Sequence, residues 1–268
     1  MSNSEVFVLS KKVEKIFEEA KVTPPVMRVG WAVDYTGSAD HLYRKGKIQT
    51  WLAALFPVAV KLDDDQLMNC VAFGGSIREL PDVSVDTWKD YVRIYVQRGS
   101  YETTTLYAPS VAYFTNLYFP SAADRMVNKA KGLLAKFGLG NSGPVVIDNG
   151  TPALVFLVTD GQNYDQSEFL FALSQTVEKP IFWVLIGIGK DNFNNPIAAA
   201  KKFPNVSFHQ FDEEQLSPEE IYQQLLDSKL MNWLGKSEVN DAVYTSVLQV
   251  AYLGYLGFPS NYPSLPGL

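Results

Sequence analysis

The sequence predicts an α/β domain with a central, mostly parallel sheet, one antiparallel edge strand and helices on both faces. Apolar stretches rich in β-branched residues alternate with longer segments of helical spacing, which is the pattern of βαβ units. The later apolar stretches lack strict alternation, as expected for strands that are covered on both faces. The chain has 268 residues and 47% hydrophobic content, which is enough to bury a large core.

The first half of the chain contains three candidate strands and one long candidate helix. Residues 26–34 form the first strand, and residues 41–62 carry apolar side chains at three- and four-residue steps, which predicts an amphipathic helix. Strands follow at 67–73 and 77–80. Because the gap between them is short enough for a hairpin, we expect this pair to be antiparallel at the sheet edge. Residues 82–95 are predicted to be a short helix or a wrapped loop.

The second half alternates more clearly between strands and helices. Strands are predicted at 153–158, 181–188 and 206–211, and helices at 167–177 and 196–203. A further helix begins at Ser217, which is a good N-cap and is followed by a proline and two acids in the first turn. This helix is predicted to run to about residue 234.

These elements predict one domain over residues 1–236, with an N-terminal helix and an insertion at about 118–152. The basic part of the insertion, residues 125–136, is interpreted as a solvated helix face. Residues 237–268 form an aromatic C-terminal extension that is too apolar to leave in water. We expect it to pack on the domain, with a homo-oligomer or partner contact as the main alternative.

Charge and cysteine content exclude several classes of function. The net charge of −6 and the pI near 5.0 argue against a nucleic-acid-binding surface, which needs clustered Lys and Arg. Cys70 is the only cysteine, so a disulfide or a thiolate metal cluster within one chain is excluded, and its apolar surroundings predict a buried thiol. The sequence shows no secretion signal and no uncharged apolar run of about 18 residues. We therefore expect a cytoplasmic protein without a membrane span.

The segment VGWAVDYTGSAD, residues 29–40, raises the most specific functional question. Asp34 ends an apolar strand and is followed by the hydroxyls of Thr36 and Ser38. An aspartic protease needs a hydroxyl residue directly after the acid and a second copy of the motif, and the sequence has neither. A haloacid-dehalogenase-like, Mg2+-dependent phosphotransferase with Asp34 as nucleophile stays open, although no lysine motif stands out and Asp160 offers only one late acid.

The same residues fit the metal-ion-dependent adhesion site of von Willebrand factor A (vWA) domains. That site combines D-x-S-x-S with a distant Thr and a distant Asp in a T-D-G turn. A hard divalent ion prefers oxygen ligands, and hydroxyls two and four positions after the acid can converge on one ion. Neutral hydroxyls leave the ion electron-poor, so that it seeks a carboxylate from outside. Doubly wound sheets bind ligands beyond the C-terminal strand ends, where Asp34 and Asp160 are predicted to lie.

Longer segments carry a more specific resemblance. They are LSKKVEKIFEEAKV, the run from VGWAVDYTGSAD through LYRKGKIQ to LDDDQL, and then TLYAP, FLVTDG and IFWVLIGIG. In this order, over about residues 8–234, they resemble the vWA domains of the tellurium-resistance TerF-like family. The resemblance implies a Rossmann-like vWA fold. It also implies a role in tellurium resistance or a broader stress response, as a recognition module without turnover.

The resemblance also implies a ligand set. Carried over position by position, the ion-binding residues would be Asp34, Thr36, Ser38, Thr105 and Asp160. The ion would be Mg2+ or a similar one such as Mn2+ or Ca2+, and a protein partner would supply an acidic residue to it. Thr36 stands where the family has a serine; it keeps the hydroxyl, but its methyl group restricts the rotamer. A structural protein whose site has lost its ion is a third alternative, beside the adhesion module and the phosphotransferase.

Three other features are interpreted as structural. The run 63–65, three aspartates, lacks the ligand spacing of an EF-hand and is predicted to be a solvated turn. Gly187-Ile-Gly189 lacks the third glycine of a dinucleotide-binding fingerprint. His41 and His209 are the only histidines, which argues against a His-rich zinc site; His41 is expected on a helix surface near the proposed ion.

Overall fold

The computed structural model describes residues 3–121, 150–212 and 217–235. Its centre is a six-stranded sheet with the order β3-β2-β1-β4-β5-β6. The strands are β1 Arg28–Asp34, β2 Met68–Phe73, β3 Ile77–Val83, β4 Ala153–Thr159, β5 Ile181–Ile188 and β6 Val206–Phe211. Strand β3 is antiparallel to β2, and all other neighbours are parallel. The predicted fold class and its antiparallel edge strand are therefore confirmed.

Helices cover both faces of the sheet, and each face has its own apolar core. The α-helices are α1 Asn3–Glu19, α2 Asp40–Arg44, α3 Lys47–Leu62, α4 Ala108–Tyr118, α5 Gln166–Ser174, α6 Asn194–Lys202, α7 Pro218–Leu225 and α8 Ser228–Leu234. Every residue of β4 and β5 is buried, as the uninterrupted apolar runs predicted, and so is every residue of β1. The same prediction is wrong for β6, because this strand lies at the sheet edge and leaves Gln210 exposed. Gly30 in β1 allows close packing of α4, since a Cβ there would lie 2.6 Å from the Phe114 ring.

Two predicted helices are each divided in the structure. The predicted helix 41–62 consists of α2 and α3, separated at Gly46, whose φ of +68° lies in the left-handed region. The predicted helix from Ser217 consists of α7 and α8. Ser217 is the N-cap of α7, as predicted, and forms a capping box with Glu220; the Asp227 side chain accepts a hydrogen bond from Leu230 N–H to cap α8. The apolar spacing continues across both breaks because the paired helices face the same core.

The segment between β3 and α4 packs against α3 and combines the two sequence alternatives, a short helix and a wrapped loop. It contains a 3₁₀ turn at Trp88–Asp90 and a π-helical turn at Val92–Val96. Gln49 of α3 holds this segment, because its amide donates to the Trp88 carbonyl at 2.7 Å and accepts from Val92 N–H at 3.1 Å. The glutamine of the LYRKGKIQ segment therefore has a structural role.

Residues 122–149 and 236–268 lie outside the described part of the chain. The predicted insertion at 118–152 therefore falls mostly outside it, and the predicted aromatic extension at 237–268 falls wholly outside it. The domain boundaries stay a prediction. Within the three described ranges, no helix combines the length and apolar character needed to cross a bilayer. Cys70 is buried, as its surroundings predicted.

Candidate metal centre at the ends of the central strands

The two acids singled out by the sequence lie at the C-terminal ends of neighbouring strands. Asp34 is the last residue of β1, and Asp160 directly follows β4, which pairs with β1 in the register Val33 to Val158. Strand β1 lies between β2 and β4, so the strand order reverses here and a crevice is expected beyond the strand ends. Both acids are buried, with 1% of Asp34 and 9% of Asp160 exposed.

A chain of close oxygen contacts joins the two carboxylates through the hydroxyls of the motif. The Thr36 hydroxyl donates to Asp34 Oδ1 at 2.6 Å and lies 3.0 Å from Ser38 Oγ. The Ser38 hydroxyl in turn donates to Asp160 Oδ1 at 3.1 Å. The structure thus brings together four of the five residues that the sequence analysis proposed as ligands.

This oxygen chain contains fewer protons than contacts. Three contacts separate the two carboxylates, and the hydroxyls of Thr36 and Ser38 supply one proton each. When both carboxylates are ionised and each hydroxyl donates to its carboxylate, the oxygens of Thr36 and Ser38 face each other without a proton between them. Either one additional proton or a cation in contact with these oxygens removes that repulsion.

The spacing of the oxygens suits a small hard cation. Adjacent ligands of an octahedral Mg2+ lie about 2.9 Å apart when the bonds are about 2.0 to 2.1 Å long. The successive contacts in the chain are 2.6, 3.0 and 3.1 Å. Two carboxylate and two hydroxyl oxygens are also the donors that Mg2+ and Mn2+ prefer. The residues present therefore fit the metal that the motif implies.

Burial makes Asp34 an unusually weak acid in the absence of a cation. Its removal from water raises the pKa of Asp34 to about 7, although hydrogen bonds from Thr36 and Thr159 oppose the shift. The negative charge of Asp160 adds to the increase. Burial also raises the pKa of Asp160, against the hydrogen bond from Ser38. A bound cation would stabilise the ionised form of both groups.

Thr159 also belongs to the site, although its place in the Thr-Asp-Gly motif predicted no role for it. Its hydroxyl donates to Asp34 Oδ2 at 2.7 Å, so that Thr159 and Thr36 each hold one oxygen of the same carboxylate. The Tyr107 hydroxyl lies 3.1 Å from Thr159 Oγ1 and also contacts the Gly161 carbonyl. The only sequence signal for this role was the position of Thr159 at the end of a buried strand, next to Asp160.

Thr105 lies on a segment that crosses the end of β1. Leu106 N–H donates to the Gly74 carbonyl beyond β2, and Tyr164 N–H donates to the Thr105 carbonyl from the loop after β4, both at 3.0 Å. Because β2 and β4 flank β1, these two bonds place Thr105 over the C-terminal end of β1, where Asp34 lies. Thr105 is 7% exposed and is not part of the oxygen chain between the two acids.

Backbone and aromatic contacts fix the turn that carries the hydroxyls. Glu102 N–H donates to the Tyr35 carbonyl and Gly37 N–H donates to the Glu102 carbonyl, each at 3.0 Å. The buried Tyr43 hydroxyl donates to the Asp34 carbonyl. His41 is half-buried, and its Nδ1 lies 2.8 Å from the Ser38 carbonyl. The Glu102 backbone, the Tyr43 hydroxyl and the His41 ring therefore all contact the turn after β1.

The acidic run 63–65 is organised around an arginine. Arg28 Nη1 donates to Asp63 Oδ1 and Asp64 Oδ1 at 2.7 Å each, and to Asp65 Oδ2 at 3.5 Å. Asp63 also accepts from Val29 N–H at 3.2 Å and is buried, whereas Asp64 and Asp65 are exposed. These carboxylates are close enough together to hold an ion, but the Arg28 guanidinium already binds all three and offsets part of their charge. The prediction of a solvated turn is wrong for Asp63, because it packs against β1.

The fold and the oxygen cluster define the class of protein. A doubly wound sheet with an acid and two hydroxyls after its first strand, and a Thr-Asp-Gly turn after a neighbouring strand, is the arrangement of a vWA domain. The chain belongs to the vWA-TerF-like family, described as the vWA domain found in the TerF C terminus, whose family model matches residues 26–243. The family inferred from the motifs is therefore confirmed.

Individual relatives are more distant. The uncharacterised protein YcbR of Bacillus subtilis (strain 168) is 25% identical over 244 residues, which cover 85% of this chain and 86% of YcbR. A von Willebrand factor type A structure from Catenulispora acidiphila is 16% identical, with a TM-score of 0.46, and the match covers 77% of this chain and 43% of that one. The manganese-loaded Plasmodium vivax TRAP protein is 14% identical, with a TM-score of 0.47, over 78% of this chain and 75% of that one. This chain thus spans less than half the length of the Catenulispora protein.

Proposed function

We propose that this domain binds Mg2+, or a similar ion such as Mn2+ or Ca2+, and uses it to capture a carboxylate from a partner protein. The observation that carries this proposal is the oxygen chain from Asp34 through Thr36 and Ser38 to Asp160, whose contacts of 2.6, 3.0 and 3.1 Å match the ligand spacing of a small cation. The same chain is one proton short when both acids are ionised. A cation in contact with these oxygens would remove that shortage.

The proposed roles follow from the position of each residue. Asp34 and Asp160 supply negative charge, and Thr36 and Ser38 supply neutral oxygens. Thr105 completes the set from the segment that crosses above β1. These five residues leave a Mg2+ ion, which takes about six ligands, with demand for one further oxygen. An aspartate or glutamate side chain of another protein meets that demand.

The geometry favours a ligand role for Asp34 over a nucleophilic one. A phosphotransferase nucleophile must present one carboxylate oxygen to its substrate. Asp34 is 1% exposed, and its two oxygens accept hydrogen bonds from Thr36 and Thr159. These contacts suit a carboxylate that is fixed in place, and we therefore propose a binding module without turnover.

Family membership supports the biological context of the proposal. The matched family is the vWA domain of TerF-like proteins, so we place this chain in a tellurium-resistance or broader stress-response system, acting in the cytoplasm. In that setting the metal site would join this domain to an acidic partner protein. Deletion of the gene should raise sensitivity to tellurite, and re-expression of Asp160→Ala should fail to restore resistance.

Calorimetric titration with Mg2+ and Mn2+ tests the metal site directly. We expect one ion per chain for the wild type and at least about tenfold weaker binding for Asp160→Ala. The loss of even an outer partner of a metal ligand lowers the metal affinity by about this much. The control is the double variant Asp64→Asn with Asp65→Asn, which removes two exposed acids of the run around Arg28. Unchanged binding by Asp160→Ala, or lost binding by the control, would place the ion elsewhere.

A further inference from the structure

The loop after β4 presents one large aromatic side chain to solvent. Tyr164 follows Asp160 in this loop, and 80% of its surface is exposed. A single exposed aromatic residue is common and by itself carries no function. Two features of its surroundings distinguish Tyr164: the loop that carries it is held firmly, and it adjoins the proposed metal ligands.

The residues on either side of Tyr164 are buried and hydrogen-bonded. Asn163 donates to Asp165 Oδ1 at 2.7 Å and accepts from the Asn195 side chain of α6 at 2.9 Å. Asp165 also accepts from two backbone N–H groups at the start of α4, Tyr107 at 3.0 Å and Ala108 at 2.7 Å. Helices α4 and α6 therefore anchor the loop at both flanks of the exposed ring.

The backbone of Tyr164 is bonded to the proposed site. Its N–H donates to the Thr105 carbonyl at 3.0 Å, so Tyr164 and the candidate ligand Thr105 are neighbours. An extended peptide advances about 3.3 Å per residue. Because Tyr164 stands beside a candidate ligand, the partner residues that would meet its ring are those next in sequence to a carboxylate bound at the ion.

We propose that Tyr164 contacts the partner beside the captured acid and selects an acidic residue that has an apolar residue one or two positions away. This inference rests on the proposed metal-dependent capture of a carboxylate. A tyrosine on a fixed loop loses little conformational entropy on binding and offers a large apolar face, which is why tyrosine is frequent among the dominant residues of interfaces. The exposed residues nearest to Tyr164 in sequence, Gln162 and Gln166, are uncharged, and the face of the ring itself favours an apolar side chain.

A peptide array tests this selectivity. The array carries nonapeptides with a central Glu, each other position varied through all residue types, and a matched set with a central Gln. It is probed in Mg2+ and in EDTA with the full-length wild type, Tyr164→Ala, Tyr164→Phe and Phe171→Ala. Phe171 is the matched control, because it is 67% exposed on α5 and has no bond to a proposed ligand.

We expect Mg2+-dependent binding of Glu peptides by the wild type, about tenfold stronger when an apolar residue lies within two positions of the Glu. Tyr164→Ala should lose this preference and keep Mg2+-dependent binding, whereas Tyr164→Phe and Phe171→Ala should keep both. Two results would overturn the role of Tyr164 and leave the proposed function intact. In the first, Tyr164→Ala binds Glu peptides in Mg2+ with the same preference as the wild type; in the second, the wild type binds them in Mg2+ without any preference. Absence of Mg2+-dependent Glu binding by the wild type would overturn the proposed function with it.

Discussion

Single residues around Asp34 determine how the site can hold an ion. Thr36 occupies the first serine position of the D-x-S-x-S motif, and its hydroxyl still reaches Asp34 Oδ1 at 2.6 Å. The threonine methyl group therefore does not prevent the hydroxyl from joining the oxygen cluster. On the other side of the carboxylate, Thr159 holds Oδ2 and is itself contacted by the Tyr107 hydroxyl. This second contact orients Asp34 without joining the proposed ligand set.

Replacing Thr159 by valine should weaken metal binding while leaving the proposed ligands in place. The variant keeps the side-chain shape but removes the hydrogen bond to Asp34 Oδ2, and loss of an outer partner of this kind typically costs about 10- to 100-fold in metal affinity. Thr159→Ser keeps the hydroxyl and should bind Mg2+ nearly as well as the wild type. Calorimetry on both variants, with folding checked by circular dichroism, distinguishes the two cases; equal affinities would show that Thr159 does not orient the carboxylate.

The raised pKa of Asp34 predicts a pH dependence with a defined sign. Burial raises this pKa to about 7 in the folded protein, against an ordinary value of about 4. The folded metal-free state therefore binds the proton more tightly than the unfolded chain does. The stabilisation from Asp34 protonation is fully present below about pH 4 and is lost as the pH rises to about 7.

Metal binding should show the opposite trend, because the ion competes with that proton. The Mg2+ affinity should rise by up to about tenfold per pH unit below pH 7 and level off above it. Titrations between pH 5.5 and 8, with unfolding followed in parallel in EDTA, measure both trends. An affinity that is independent of pH over this range would contradict the assigned pKa of Asp34.

At the scale of secondary-structure elements, the site depends on hydrogen bonds that hold separate segments of the chain over the strand ends. Asp165 of the β4 loop accepts hydrogen bonds from the first N–H groups of α4, across 58 positions of sequence to Tyr107. It therefore caps a helix from which it is remote in sequence, and it stabilises the start of α4 just after Thr105. Gln49 fastens the wrapped segment before α4 in a similar way.

Removal of the Asp165 carboxylate should destabilise the domain measurably. Asp165→Ala leaves the N–H groups of Tyr107 and Ala108 without their acceptor in a buried place, and bonds to charged groups contribute about 1.5 to 3 kcal/mol each. Because the two bonds share one carboxylate and water can enter, we expect a loss of about 2 to 3 kcal/mol in the free energy of unfolding. Urea denaturation measures this; Asp90→Ala, a change at an exposed acid, is the control. A loss below about 0.5 kcal/mol would contradict the capping role.

The two helix breaks show which property of a helix the apolar periodicity of its sequence predicts. Gly46 interrupts the predicted helix 41–62, and Asp227 starts a new helix inside the predicted helix from Ser217. Both residues are recognised stop or start signals, but the apolar periodicity runs through them because the paired helices share one core. Periodicity reports which face is buried, and it does not report whether the axis is continuous.

At the scale of the whole molecule, the topology could be predicted because it follows from local patterns. The apolar runs that predicted β4 and β5 are buried at every position, and the short gap between β2 and β3 predicted the antiparallel edge. The acids at the ends of β1 and β4 were expected to lie together from the general rule for doubly wound sheets. The structure places a Ser38–Asp160 hydrogen bond between those strand ends.

The remaining parts of the site depend on distant contacts that no local pattern encodes. Thr159 reaches Asp34 across 125 positions of sequence, and Tyr107 reaches Thr159 across 52. The hydrogen bond from the Tyr43 hydroxyl to the Asp34 carbonyl could not be predicted either, because the sequence fits equally well a tyrosine that only packs in the core. The Arg28 contacts with the acidic run 63–65 were missed for the same reason. Pairing of polar groups within a core becomes visible only when the strands are placed side by side.

Anomalous diffraction from crystals of this protein soaked in Mn2+ tests the metal site most directly. We expect one strong manganese peak within about 2.0 to 2.4 Å of oxygens from Asp34 or Asp160 and from the hydroxyls of Thr36 and Ser38. We also expect a solvent molecule or a neighbouring carboxylate to complete the coordination. A peak at the aspartates of the run 63–65, or no peak at saturating Mn2+, would show that the ion does not bind at the ends of β1 and β4.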